Sequence, residues 1–174
     1  MAVDAQLEAA AEAFDEVRTA ARVILIDPTE RVLLLGANDP ADGRLIWFVP
    51  GGGVEEGETL EQAAIRELGE EVPMVGVVEL QGPIWRRHHE FSWNSRRISQ
   101  TEWFFVCRLG ATFAAEAVSV GGAEAEFFAG ARWATLAELA GWPTAEIMAP
   151  ARLADLLAPV LRGELPLEPI DAGV

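Results

Sequence analysis

Residues 52–74 read GGVEEGETLEQAAIRELGEEVPM, and the fold follows from how this stretch divides. Residues 59–72 make the clearest helix of the chain, with Thr59 as N-cap and Gln62 three positions on, the spacing of a capping box. Pro73 stops the helix, because its ring clashes with a further turn and drives Val72 toward extended geometry. On a wheel turning about 100° per residue, Glu70 falls roughly 60° to one side of Glu67 and Glu71 roughly 40° to the other. Ile65, Leu68 and Val72 point the opposite way, toward a sheet. One face is apolar, and the other gathers three carboxylates.

Such a face is unfavourable by itself. Like charges at these spacings repel, and the C-terminal half of a helix disfavours anions. A divalent cation offsets both effects. Magnesium takes carboxylate oxygens, keeps several waters and bridges to phosphates, and manganese accepts the same ligands. A glutamate run alone reads as a solvated helix face. The preceding Pro50-Gly51-Gly52-Gly53 adds something different, since glycine lets the backbone approach a ligand closely.

Gly52, Glu58, Arg66, Glu67, Leu68, Glu70, Glu71 and Met74 fall in register with G-x5-E-x7-R-E-U-x-E-E-x-G-U, where U is bulky and apolar. This resembles the signature of the Nudix family, the MutT-type pyrophosphohydrolases; Pro73 replaces the family's second glycine. The resemblance implies an α/β fold, an α/β/α sandwich with a mixed central sheet and a loop-helix-loop catalytic motif. It implies an enzyme that hydrolyses a phosphoanhydride bond with Mg2+ or Mn2+. Glu67, Glu70 and Glu71 would hold the metal together with the Gly51 carbonyl. Gly52, Glu58 and Arg66 would be structural, the last two as an ion pair bracing the motif. A further carboxylate is expected from the loop at 121–130, Glu126 first and Glu124 second.

Outward from the motif, strands are expected at 21–26 and 31–35 around a turn at 27–30, and at 45–49 after a loop at 36–43. Others follow at 75–80, 83–93 and 96–109, the last two joined by an Asn94-Ser95 turn. Residues 110–130 read as loops, 132–135 as a strand, 135–139 as a helix start and 150–161 as a helix. An amphipathic helix is expected at 4–17. The 174 residues suit one domain, with a core at 18–162 and a tail at 163–174.

The net charge is −15, and all 13 basic residues are arginines. So acidic a chain repels nucleic-acid polymers and anionic membranes. A local arginine cluster can still hold phosphate. Arg86, Arg87, Arg96 and Arg97 share the putting-together of one hairpin; strand alternation allows only some to face the site, and Arg86 and Arg97 are the candidates, with Glu102 beside them. His88 and His89 fall on opposite faces and cannot share a metal without distortion. Cys107 reads as a buried, inert thiol. No export signal or membrane-spanning run is expected, so the cytoplasm is the expected location.

The expected partner is a phosphorylated small molecule. Position 90, sixteen residues past the motif, is Glu rather than the proline of ADP-ribose specialists, and the chain has no tyrosine. Nucleoside triphosphates or related nucleotides remain by elimination. The alternative is a Nudix-fold nucleotide sensor without turnover. The family resemblance also makes a homodimer a candidate assembly.

Overall fold

The computed structural model describes residues 13–73 and 78–173. Alternation along β1 (Glu16–Ile26) sends Ala21, Val23 and Leu25 to one face and Ile24 and Ile26 to the other, and both sets are buried. A strand buried on both faces belongs in the middle of a covered sheet. β1 lies there, parallel to β6 (Arg96–Arg108) along its whole length. β6 pairs antiparallel with β5 (Gln81–Trp93). On its other side β1 meets β2 (Val32–Asn38) only at Ile26↔Val32. The strands then part, and β4 (Gly51–Gly53) fills the fork against Ala20, Ala21 and Arg22.

β2 continues outward to β3 (Leu45–Phe48) and also pairs with β7 (Phe128–Ala134). α1 (Leu60–Glu71) covers one face, packing on β1 and β4. α2 (Leu136–Ala140) and α3 (Leu153–Leu161) cover the other, around Leu139, Leu153, Leu157 and Val160. This is the expected α/β/α sandwich with a mixed sheet. Among the described residues no helix is long and apolar enough to cross a membrane.

Several expectations are corrected. The helix expected at 4–17 lies mostly outside the described residues, and its last positions, Glu16 and Val17, begin β1. Of the strand expected at 75–80, residues 78–80 are irregular and 75–77 lie outside the described residues. β7 begins at Phe128 rather than Arg132, and two 3-10 turns, Ala115–Ala117 and Gly122–Glu126, punctuate the loop before it. α3 starts at Leu153, three residues past Pro150. The sequence reading missed β8 (Ile147–Ala149) and β9 (Ile170–Asp171), edge strands too short to carry a hydrophobic period. β9 docks the tail on β5 and buries Ala172.

Candidate active site

α1 has the predicted start and stop. Thr59 and Gln62 form both bonds of the capping box, and Val72 is extended at φ −121°, ψ 145° ahead of Pro73. The buried face differs from the wheel's. Ala63, Ala64, Leu68 and Glu71 are inside, whereas Ile65 is 46% exposed. Two alanines let α1 settle closely on the glycine strand, which rotates Ile65 outward and Glu71 inward.

Glu71 is only 5% exposed, and its Oε2 accepts the Gly51 N–H at 2.8 Å. Burial pushes its pKa up to about 8; the Gly51 bond and Arg22 act against this, while Glu67 and Glu124 add to it. Glu67 is half-buried, and burial raises its pKa too, opposed by Arg66 and reinforced by Glu70 and Glu124. Glu70 is exposed and lies 3.4 Å from Arg66.

Two glycines make this packing feasible. A Cβ on Gly51, at φ +123°, would lie 2.2 Å from the Ala21 carbonyl oxygen. A Cβ on Gly52 would lie 2.5 Å from Glu67 Oε1. The first would collide with backbone, the second with the carboxylate itself.

Arg66 ties the motif together. Its Nε and Nη2 donate to the two Glu58 oxygens at 2.8 and 3.0 Å, Nη2 also to the Gly53 carbonyl at 2.9 Å, and Nη1 to Glu67 Oε1 at 2.8 Å. These bonds, with the Glu55 amide, hold the Glu58 carboxyl down at about 2.

A second network lies across β1, β5 and β6. Arg22, on the β1 face opposite α1, donates through Nε to Glu102 Oε1 at 2.9 Å and through Nη1 to the Gly51 carbonyl. Gln100 Nε2 donates to the same Glu102 oxygen at 2.8 Å. Arg87 Nε lies 2.8 Å from Glu102 Oε2 but off its N–H axis, so this contact is an ion pair without a hydrogen bond. His89 packs against Arg87 and stacks on Phe91 at 4.7 Å; burial, then Arg87, lowers its pKa to about 4. Burial alone would raise the Glu102 pKa, but Arg22 and Arg87 bring it below the usual range.

Gly51 joins the two networks, its N–H on Glu71 and its carbonyl under Arg22. The cation ligands suggested by the sequence therefore have protein partners here: Glu67 and Glu70 face Arg66, and Glu71 and the Gly51 carbonyl are bonded as described. Among the described residues no three His, Cys, Asp or Glu side chains already converge as a metal cluster. The donor set nonetheless suits a divalent ion. Two carboxylates disfavoured as anions by burial and by each other are what such a cation stabilises.

Among the described residues no hydrogen bond or ion pair joins the Arg86 or Arg97 side chain to a box glutamate. Arg86 lies over the Trp103 ring at 5.5 Å, on the sheet face that carries α1, and Arg97 lies 6.0 Å over Phe14. Arg87 turns inward instead, one residue along the alternation. Glu102 is buried between arginines rather than open to a ligand. Glu124 and Glu126, both exposed, share the turn Gly122–Glu126, and the Glu124 charge adds to the upward push on the Glu67 and Glu71 pKa. Glu126, the first choice from sequence, lies two residues further along the same turn. Arg22 and Gln100 were missed. A charged residue inside a strand buried on both faces was the available signal for Arg22.

The molecule has solved relatives. It is similar to the Escherichia coli dihydroneopterin triphosphate pyrophosphohydrolase structure, with a TM-score of 0.52 and 25% identity over 70% of this chain and 84% of that one. The NUDIX domain of Shewanella oneidensis NrtR, complexed with ADP ribose, gives a TM-score of 0.57 at 20% identity, over 86% of this chain and 92% of that one. In sequence, dihydroneopterin triphosphate diphosphatase of E. coli (strain K12) is 47% identical over 57 residues, 33% of this chain and 36% of that protein. The curated relatives are matched over 22% to 36% of their own length. The NUDIX domain model matches residues 16–157, a span running from the first residue of β1 into α3 and containing both networks. With its glycine strand, Glu58–Arg66 brace and glutamate-bearing helix inside that span, the chain belongs to the NUDIX domain family.

Proposed function

We propose that the chain is a divalent-cation-dependent pyrophosphohydrolase that cuts a phosphoanhydride bond in a nucleotide-like small molecule, with nucleoside triphosphates the first class to test. The observation that carries this reading is the buried Glu71 beside half-buried Glu67, both packed on glycines that admit no side chain. Glu67, Glu70 and Glu71 would hold Mg2+ or Mn2+, with the Gly51 carbonyl a further ligand if Arg22 yields it. When bound, the cation neutralises the diphosphate and lowers the pKa of the attacking water.

The chain's own groups do the rest. Glu124 accepts a proton from the water as it attacks phosphorus. One P–O bond forms, the bridging P–O bond breaks, and two phosphorylated products leave. Arg66 holds Glu67 and the glycine strand in register, and Arg22 fixes Gly51 from the other side.

The test is phosphoanhydride cleavage across a panel of nucleoside triphosphates and nucleoside diphosphate derivatives, with Mg2+, Mn2+ or chelator. Cation-dependent turnover of at least one compound is the expected result. A specific observation favours the sensor reading: Arg66 and Arg22 already engage Glu67 and the Gly51 carbonyl. Nucleotide binding without turnover anywhere on the panel would select the sensor.

A further inference from the structure

Pro73 removes a device that ordinarily finishes a helix. A glycine after the last turn can adopt the left-handed conformation and fold following N–H groups back onto the terminal carbonyls. Proline has no N–H and keeps Val72 extended. The Val72 amide still reaches the Leu68 carbonyl. The Glu71 carbonyl receives a donor from elsewhere in the chain, the Ser119 N–H at 2.9 Å. Next to it, Val118 is buried with Leu68 and Val72.

The same segment carries Glu124. After Ser119 it runs through the Gly122–Glu126 turn, where the Phe127 amide closes on the Glu124 carbonyl at 3.0 Å. Phe127 then fixes the far end. Its carbonyl accepts the Asn38 amide at 2.8 Å, and its ring meets Trp93 edge-on at 5.5 Å. Glu124 thus lies on a short span pinned to the end of α1 on one side and to β2 and the β5–β6 hairpin on the other.

We propose that residues 118–119 cap the last carbonyl of α1, at Glu71, and that this cap holds the span carrying Glu124 against the end of the helix. Ser119 is a positioning residue that acts through its backbone N–H and through Glu124. Its catalytic consequence rests on the reading of Glu124 given above; the capping itself does not.

The first measurement is amide hydrogen exchange on the unmodified protein. The Ser119 amide should be protected by about tenfold or more relative to the exposed loop amide of Gly121; equal exchange overturns the proposal. The second is Ser119→Pro, which deletes the donor at a place where Val118 is already extended at φ −69°, ψ 135°. Its kcat should fall by about tenfold to a hundredfold, as for a displaced catalytic group, with KM unchanged. Adding Glu124→Ala should cost no further kcat, and losses that multiply overturn the positioning role. Ser119→Pro should also lower the thermal midpoint, since it leaves the Glu71 carbonyl without its donor. An unchanged midpoint overturns the capping. If the unmodified protein has no turnover, the reading of the box fails. Amide protection and the thermal midpoint then decide the capping alone.

Discussion

Arg66 and Arg22 each hold a glutamate beside the glycine strand, but by different means. Arg66 works locally: its carboxylate partners Glu58, Glu67 and Glu70 lie 8, 1 and 4 residues away, and its side chain is 25% exposed. Arg22 works across the sheet, reaching Glu102 80 residues away, with side-chain exposures of 14% and 4%. A half-wet local pair gains little free energy but holds the motif in shape. A dry pair must be complete, because either partner left alone is an uncompensated buried charge. The two meet at Gly51, so the site has one adjustable support and one rigid support.

The sharpest way to break the comparison is to empty the rigid side. Glu102→Ala leaves Arg22 and Arg87 buried without their carboxylate, and should destabilise the fold by about 3–5 kcal/mol in chemical denaturation. A loss near that of a surface ion pair would show that water reaches these arginines.

The neighbouring glycines divide along the same line. Gly51→Ala sets a Cβ against the Ala21 backbone at positive φ and should cost on the order of 2–4 kcal/mol of stability. Gly52→Ala meets only the end of the Glu67 side chain, which can swing aside. Its fold should be nearly intact while turnover falls by about a hundredfold. Equal stability losses in both variants would contradict this division.

The smallest expected effect belongs to the local pair and appears as pH dependence. Glu58 is held at about 2 in the folded chain, below the roughly 4.3 of a free glutamate. Because its folded pKa is depressed, its contribution is present above the unfolded value and is lost as pH falls toward 2. The thermal midpoint of the unaltered chain should therefore drop more between pH 5 and pH 2.5 than that of Glu58→Gln. Parallel curves would mean that the brace adds nothing to stability.

The same contrast explains what was legible in the sequence. The capping box, the Pro73 stop, the Asn94-Ser95 turn and the Glu58–Arg66 pair all rest on spacings of a few residues, which the chain displays directly. Asn94 and Ser95 do adopt positive φ, as a tight hairpin turn requires. The Arg22–Glu102–Arg87 network depends on strand register across β1, β6 and β5, which no local spacing encodes. The wheel placed the glutamates correctly relative to one another, but the rotation of α1 was set by its packing on β4. That is why Ile65 is outside and Glu71 inside. The turn that carries Glu124 and Glu126 is a conformation that no local spacing in residues 110–130 displays.

The central claim is that the box glutamates carry a cation-dependent hydrolysis. It is tested most directly by Glu70→Gln, since Glu70 is exposed and its loss should spare the fold. The measurement is Mn2+ affinity and phosphoanhydride turnover on the best substrate of the panel, in variant and parent. We expect an unchanged thermal midpoint, weaker Mn2+ binding and turnover reduced by about a hundredfold or more. Unchanged affinity and turnover would contradict the assignment of this box as the cation site.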